Sequence, residues 1–193
     1  GIVVREAQAG ESLTLLNKQT IELRTGSLLI ADHEKPLALA GIMGGLDSAV
    51  STETTDILLE SAFFQPLALA GKARSYGLHT DSSHRFERGV DFNLQRQAIE
   101  RATQLIVDIA GGEVGAVVEA VLADALPVRR PITLRLAKIT QVLGFALPAE
   151  QIVDILQRLG MTLETQTDGW LVTAPSYRFD ITIEVDLIEE LAR

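Results

Sequence analysis

Two groups of residues in this sequence have the types and spacings expected of a functional site. The first extends from Leu37 to Asp91 and combines Gly41, Gly44 and Gly45 with a lone acid, Glu60. Glycine lets the backbone turn sharply and lets another group approach closely. A carboxylate among apolar neighbours must be paired, hydrogen-bonded or protonated, because an isolated buried charge is costly. This combination predicts a pocket.

The glycine segment matches no phosphate-binding motif. Gly41-Ile42-Met43-Gly44-Gly45 is not GxGxxG, and no Lys-Ser or Lys-Thr pair follows it. Spacing alone leaves two interpretations open, a pocket wall or a tight connection between strands without a ligand. It also leaves open whether Glu60 faces the pocket or simply ends a strand and faces water.

The polar segment from His79 to Asp91 lies in a locally positive region of an acidic chain. Residues 70–101 hold six Lys or Arg and four Asp or Glu. His79 and His84 have no third metal ligand at a standard spacing, and no order of Ser, His and Asp here is typical of a triad. We interpret four residues as the frame of an irregular loop held by ion pairs: Arg85, Glu87, Arg88 and Asp91.

The second group is acidic, with five acids and no base between residues 180 and 190. Asp186, Glu189 and Glu190 stand at i, i+3 and i+4, so they share one face of a helix. A hard divalent cation would offset their repulsion, since Mg²⁺ needs only one or two direct carboxylates. The alternative is a solvated acidic helix start, stabilised by the helix dipole. Spacing alone favours this alternative.

Short strands and helices must position the first group. Apolar and alternating runs predict strands over residues 12–16, 20–23, 27–31, 37–40, 57–60 and 114–122. A helix is predicted over residues 67–75, after Pro66. A longer helix is predicted over residues 93–110, with one apolar face and with Gly111-Gly112 at its end.

A second unit is predicted after a proline- and arginine-containing linker at residues 124–130. It consists of a strand at 132–136, helices at 138–143 and 148–159, and a hairpin turning at Asp168-Gly169, with Trp170 in the core. The predicted fold class is α+β. Residues 1–123 form a mixed sheet and helix module, and residues 131–193 form a small winged-helix-like α+β domain. Neither helix of that domain is basic enough to read a DNA groove.

Composition excludes several classes of protein. The hydrophobic content of 47% is typical of a globular protein, and the absence of cysteine excludes disulfides and Cys-ligated metals. The net charge of −9 opposes broad nucleic-acid binding through phosphates. No apolar run is long enough to span a bilayer. Because the chain begins at Gly1 without Met and stops inside a predicted helix, we expect a piece of a larger protein.

Four blocks of sequence resemble the β subunit of bacterial phenylalanyl-tRNA synthetases. They are LALAGIMGG, LLESAFF, GLHTDSSHRFERGVD and PSYRFDITIEVDLIEELAR, and they occur in the family's order along the whole chain. The resemblance implies that residues 1–123 are the editing module, truncated on its N-terminal side. Residues 131–193 would be the following small domain, truncated on its C-terminal side. The chain would be part of an aminoacyl-tRNA ligase that attaches Phe to tRNA(Phe) with ATP, and its editing module would hydrolyse mischarged Tyr-tRNA(Phe).

The resemblance also implies roles for residues of the first group. Gly41 and Gly44 would form the wall of the editing pocket, and Glu60 would recognise the tyrosyl hydroxyl or amino group. Thr80 and Ser82 would line the pocket, with water rather than a protein group as the nucleophile. Position 82 is Ser where the family commonly has Ala, which adds a donor. A histidine of the family's site is expected upstream of the first residue.

For the second group, the resemblance implies a Mg²⁺ site shared with the α subunit, formed by Asp180, Asp186, Glu189 and Glu190. We expect that site to be weak or empty in the isolated chain. The implied partners are the α subunit, in a heterotetramer of two α and two β subunits, tRNA(Phe), and tyrosine or phenylalanine in the pocket. ATP would bind outside this chain. We expect a cytoplasmic protein with no membrane or DNA partner. The alternative function is a non-catalytic tRNA- or protein-binding scaffold with a vestigial pocket.

Overall fold

The computed structural model describes residues 1–193 and divides the chain into two compact units. The first consists of residues 1–90 and 94–125, and the second of residues 91–93 and 126–193. Each unit contains strands and helices, which confirms the predicted α+β class. No helix combines the length and the apolar character needed to cross a bilayer.

A four-stranded antiparallel sheet organises the first unit. Its order is β1 (Val3–Glu6), β4 (Leu28–Ala31), β5 (Pro36–Leu39) and β6 (Met43–Gly44). The hairpin of β2 (Ser12–Thr14) and β3 (Thr20–Glu22) forms a separate two-stranded sheet. A single bridge between Leu15 and Gly45 joins the end of β2 to the end of β6. The strands predicted over residues 12–40 are therefore confirmed.

Two apolar clusters pack on opposite faces of the four-stranded sheet. Leu29 and Leu39 belong to the larger cluster, whereas their neighbours Ile30 and Ala40 belong to the smaller one. Because successive strand residues point to opposite faces, this division is what the sheet requires. Helical residues cover each side. Tyr76 packs in the larger cluster, and Leu69 lies in the smaller one.

Four helices accompany this sheet: α1 (Pro66–Leu69), α2 (Lys72–Ser75), α3 (Asp81–Arg88) and α4 (Gln95–Ala110). The single helix predicted over residues 67–75 is wrong, because Gly71 takes a left-handed conformation with φ of +71° and breaks it. The irregular loop predicted around residues 79–91 is also wrong, since most of it is α3. The Thr80 side chain accepts from the Ser83 amide, and the Ser83 side chain accepts from the Thr80 amide. This capping box starts the helix.

Two predicted strands are absent. Residues 57–60 and 114–122 have no regular structure, and both carry exposed apolar side chains, with Leu58 70% and Val118 87% exposed. β-Branched and apolar runs form strands only where a partner strand accepts their hydrogen bonds, and no such partner exists here. The helix predicted over 93–110 is confirmed from Gln95 to its end at Gly111, but its apolar face is not buried.

The second unit is built on a three-stranded antiparallel sheet in the order β7 (Ile132–Arg135), β9 (Gly169–Thr173), β8 (Thr162–Gln166). Three helices accompany it: α5 (Leu136–Leu143), α6 (Ala149–Arg158) and α7 (Glu184–Ala192). The predicted helices and the hairpin with its Asp168-Gly169 turn are confirmed. Trp170 is 6% exposed and belongs to the core of this unit, as predicted.

Candidate functional site

A cavity of about 420 Å³ lies at the ends of β5 and β6. Most of its wall comes from residues 38–44, residues 60–64 and two residues of α3, and Leu16 and Ile30 also line it. The structure brings four predicted site residues together here: Gly41, Gly44, Glu60 and Ser82. Thr80 lies outside the set of lining residues.

The two predicted glycines differ in the surroundings that a side chain would meet at each position. Gly41 has a φ of +64°, and a Cβ added there would lie 2.7 Å from Leu69 Cδ1 and 3.2 Å from the rings of Phe64 and Phe86. Gly41 is therefore required by the turn and by packing, whether or not a ligand binds. At Gly44 an added Cβ would meet only the Leu16 side chain, at 3.2 Å. Gly44 is thus the glycine whose absent side chain leaves room in the cavity.

Two hydroxyl groups fasten the start of α3 to the turn that carries Gly41. The Thr80 hydroxyl donates to the carbonyl oxygen of Ile42 at 2.9 Å, and the Ser82 hydroxyl donates to that of Gly41 at 2.9 Å. The proton of Ser82 is therefore engaged within the chain, and only the oxygen lone pairs remain for a ligand. Thr80 acts indirectly, since it positions the helix that carries Ser82.

Glu60 is the one ionisable residue of the cavity wall. Its side chain is exposed to solvent on one side, and it forms no hydrogen bond or ion pair with another side chain. The apolar groups packed around it partly desolvate the carboxyl and raise its pKa. A carboxylate with free lone pairs beside an apolar wall is suited to accept a hydrogen bond from a hydroxyl or an ammonium group.

Two phenylalanines, which the sequence reasoning missed as site residues, complete the wall. Phe64 and Phe86 pack with ring centroids 5.2 Å apart and an interplanar angle of 49°, and both line the cavity. Phe86 could have been identified from its spacing. It follows Ser82 by four residues, and residues i and i+4 share a helix face. That signal depends on treating residues 81–88 as a helix. The wall is thus aromatic and aliphatic with one acid, an arrangement suited to an amino acid with an aromatic side chain.

The histidines of the first group do not form a metal site. The His79 and His84 rings are 6.5 Å apart between centroids, and the described chain holds no group of three or more His, Asp or Glu side chains placed to bind a metal ion. Arg88 Nη1 lies 2.7 Å from His84 Nδ1, on the exposed side of α3.

The four acids of the second group are each satisfied by donors of the chain itself. Arg178 Nη2 lies 2.7 Å from Asp180 Oδ2 and 2.8 Å from Glu190 Oε1. Glu189 pairs with Arg193 at 2.8 Å. The Asp186 carboxylate accepts from the backbone amides of residues 182 and 183 and so caps α7. As they stand, these residues do not fit a Mg²⁺ ion, because a guanidinium already neutralises Asp180 and Glu190.

Comparison with protein families gives a match to each unit. The B3/4 domain family matches residues 1–111, and the tRNA synthetase B5 domain family matches residues 132–193.

Curated relatives named phenylalanine–tRNA ligase beta subunit match the chain over nearly its whole length. The relative from Pseudoalteromonas translucida (strain TAC 125) is 57% identical over 193 residues, which covers 100% of this chain and 24% of the relative. The relative from Methylococcus capsulatus is 60% identical over 190 residues, covering 98% of this chain and 24% of the relative. That from Pseudomonas putida is 57% identical over 195 residues, with coverage of 100% and 25%. The chain spans about a quarter of the length of the curated relatives it matches.

Proposed function

The chain belongs to the B3/4 domain family, with a tRNA synthetase B5 domain after it, and on that basis we propose that it is part of a phenylalanine–tRNA ligase beta subunit. The resemblance predicted from the four sequence blocks is confirmed by these matches. The complete enzyme would attach Phe to tRNA(Phe) with ATP and Mg²⁺, in association with an α subunit.

Within that enzyme, the first unit would hydrolyse tyrosine from mischarged Tyr-tRNA(Phe). The observation that carries this proposal is the cavity, with a volume of about 420 Å³, an aromatic and aliphatic wall and a single unpaired acid, Glu60. Small-molecule sites measure roughly 300–1,000 Å³, so this cavity is of the size that a small ligand needs.

Glu60 supplies the basis for discrimination. Tyrosine and phenylalanine differ by one hydroxyl, and a site that hydrogen-bonds this hydroxyl rejects the analogue that lacks it by ~10⁴–10⁵-fold at most. The phenol would donate to the Glu60 carboxylate, while the ring would pack against Phe64 and Phe86. With phenylalanine in the cavity, the carboxylate would lose water without gaining a partner.

Hydrolysis needs no covalent intermediate on the protein. Water adds to the ester carbonyl, the bond to the ribose oxygen breaks, and that oxygen leaves as a hydroxyl with a proton. The Ser82 hydroxyl, the one hydroxyl of the cavity wall, donates to Gly41 instead of standing free as a nucleophile. The chain's residues would bind the amino acid and orient the ester.

The test is deacylation of Tyr-tRNA(Phe) and Phe-tRNA(Phe) by the chain and by the two-subunit ligase that contains it. We predict that Glu60→Gln and Glu60→Ala slow tyrosine release about tenfold or more, since a hydrogen bond to a charged group contributes about 1.5–3 kcal/mol. Glu164→Gln is the matched control, because Glu164 is an exposed acid on β8.

Attachment of Phe to tRNA should be unchanged in all three variants. An unchanged rate of tyrosine release in both Glu60 variants would refute the assignment of the site. The alternative of a scaffold with a vestigial pocket predicts no release by the wild type and equal or absent binding of tyrosine and phenylalanine.

For the second unit, we propose a fold type and a metal site. The pair α5 and α6, followed by the β8–β9 hairpin as a wing, is the basis for proposing a winged-helix-like arrangement. The Mg²⁺ site of Asp180, Asp186, Glu189 and Glu190 is proposed only for the complete enzyme, where the α subunit would supply further ligands and Arg178 would have to move. No step of the editing reaction depends on it.

A further inference from the structure

We propose that one side of α3 binds RNA phosphates next to the cavity. This side consists of His84, Arg85 and Arg88, and we call it the α3 cationic face. The proposal rests on the proposed function, because an amino acid that enters the cavity as an ester of tRNA brings the phosphates of the RNA end to the cavity mouth.

The geometry of α3 places cations beside the cavity wall. Ser82 and Phe86 line the cavity, whereas all three residues of the α3 cationic face are exposed. In a helix each residue is rotated about 100° from the one before, so Arg85 lies about 60° from Ser82 around the axis. Arg85 is therefore at the flank of the cavity-lining side, whereas Arg88 lies about 120° from Ser82 around the axis and faces away from the cavity.

The arginines of this face belong to the seven of the chain's thirteen arginines that form no ion pair with a carboxylate. Six arginines of the chain form ion pairs with carboxylates: Arg5, Arg96, Arg135, Arg158, Arg178 and Arg193. Arg85 and Arg88 are in none of these pairs. Arg88 instead contacts the ring nitrogen of His84 at 2.7 Å and its carbonyl oxygen at 3.3 Å. These contacts hold the guanidinium on the helix surface without neutralising its charge.

The acids of α3 cancel only part of this charge. Glu87 is two residues from Arg85, so it projects about 160° away around the helix. Asp81 stands four residues before Arg85 and so shares this face, where one carboxylate beside two guanidinium groups leaves an excess of positive charge. An unpaired guanidinium is the side chain best suited to bind phosphate, since its planar fork donates two parallel hydrogen bonds.

The net charge of the chain explains why RNA binding requires a cationic surface. The chain has a net charge of −9, so most of its surface repels a polyanion. The guanidinium groups of Arg85, at the flank of the cavity, and of Arg88, further round the helix, would attract the RNA end and fix its register. A lipid surface is disfavoured, because the α3 cationic face has no exposed apolar side chain to insert between headgroups.

The experiment measures binding of fluorescently labelled, unacylated tRNA(Phe) by anisotropy at several salt concentrations. We expect Arg85→Gln and Arg88→Gln each to weaken binding about threefold or more, and the double variant tenfold or more. The slope of log Kd against log salt should fall by about 1 for each arginine removed. Arg158→Gln is the matched control, since its side chain is 79% exposed on α6, and it should bind as the wild type does.

Further measurements separate this proposal from the editing assignment. Binding of free tyrosine, measured by calorimetry, should be unchanged in both arginine variants, and thermal unfolding should confirm that they fold. Glu164→Gln, at an exposed acid on β8, should bind tRNA as the wild type does. A wild type that binds tRNA through the two arginines but does not deacylate it supports this face and contradicts the editing function.

Three results would overturn the proposal. The first is an unchanged Kd and salt slope in the double variant. The second is no binding of tRNA by the wild type at about 100 µM, the weak end of ordinary non-specific affinity. The third is binding of vesicles of phosphatidylglycerol and phosphatidylcholine that depends on the same arginines, which would assign the face to a lipid surface.

Discussion

Gly41 and Gly44 are only three residues apart, yet different forces select glycine at the two positions. The left-handed backbone and the contacts with Leu69, Phe64 and Phe86 exclude a side chain at Gly41. Gly44 has only the flexible end of Leu16 nearby. The sequence motif does not separate these roles, because both residues simply stand in a glycine-rich turn.

This difference predicts opposite effects of the same substitution. Gly41→Ala should lower the free energy of unfolding by about 1–3 kcal/mol, since a non-glycine residue held in a strained conformation costs that much and its Cβ also meets Leu69. Gly44→Ala should change it by less than about 1 kcal/mol and should instead weaken tyrosine binding by filling the cavity. Denaturant unfolding and calorimetry measure the two effects. Equal loss of stability in the two variants would contradict this explanation.

Glu60 shows what can be predicted about a site from sequence. An acid between Leu59 and the run Ser61-Ala62-Phe63-Phe64 stands out because charged residues avoid such neighbours. The bonding of Ser82 could not be predicted in this way. Its hydroxyl has many alternative partners in an unfolded chain, and only the docking of α3 brings the carbonyl oxygen of Gly41 within reach.

At the level of elements, Tyr76 joins the end of α2 to the turn between β3 and β4. Its buried hydroxyl accepts from the Arg24 amide at 2.7 Å and lies 2.6 Å from the hydroxyl of Ser27. Ser27 is fully buried. Tyr76→Phe should lower the free energy of unfolding by about 1–3 kcal/mol, because it leaves a buried donor without a partner.

Chemical denaturation measures this effect, with Tyr177→Phe as the control because the Tyr177 side chain is 51% exposed. The control should change stability by less than about 0.5 kcal/mol. If Tyr76→Phe and the control are equally stable, the bond between α2 and the turn does not stabilise the first unit.

The connection between β1 and β2 is predicted to make stability depend on pH. The Arg5 guanidinium and the Gln8 amide both donate to the Glu11 carboxylate, and they lower the pKa of Glu11 to about 2. The unfolded carboxyl has a pKa near 4.5, so between these values the unfolded chain binds more protons. This stabilisation is therefore complete above pH 4.5 and is lost as the pH falls towards 2.

Glu11→Gln should consequently be about 1 kcal/mol less stable than the wild type at pH 7, because the pair is partly exposed and screened. The two proteins should become equally stable as the pH approaches 2. Urea unfolding at a series of pH values measures the difference. A difference that does not change with pH would exclude this ion pair as its source.

Elements were predicted well where one local feature decides the structure. The Asp168-Gly169 turn fixes the β8–β9 hairpin, and Gly111 ends α4. The prediction of an element failed where its structure depends on contacts with another part of the chain. Residues 114–122 have the composition of a strand but no strand beside them, and the polar residues of α3 predict a loop where the structure has a helix. The cap at Thr80, which compensates for that polarity, is visible only in the folded chain.

The whole molecule carries a net negative charge, and bound cations would be expected to reduce the repulsion between its carboxylates. The structure indicates that arginine does this within the second unit, since Arg178 lies between Asp180 and Glu190 with only 19% of its side chain exposed. We predict that adding Mg²⁺ or EDTA leaves the unfolding temperature of the chain unchanged. Calorimetry measures this, and a rise of several degrees with Mg²⁺ would show that the acids bind the metal without the α subunit.

Removing the internal cation gives a complementary prediction. Arg178→Gln should destabilise the chain by about 1.5–3 kcal/mol, the range for hydrogen bonds to charged groups. Arg158→Gln, on an exposed pair, should change stability by less than about 0.5 kcal/mol. If the two variants are equally stable, Arg178 is not the structural counter-ion of these acids.

The fastening of α3 by two hydroxyl bonds has a consequence for how the cavity opens. α3 contributes Ser82 and Phe86 to the cavity wall, so release of this one short helix would open the cavity on that side while the sheet stays folded. Such a local opening costs less free energy than global unfolding. A ligand that binds only the docked state adds to that cost. Bound tyrosine should therefore slow amide hydrogen exchange throughout α3, including amides on the side turned away from the ligand.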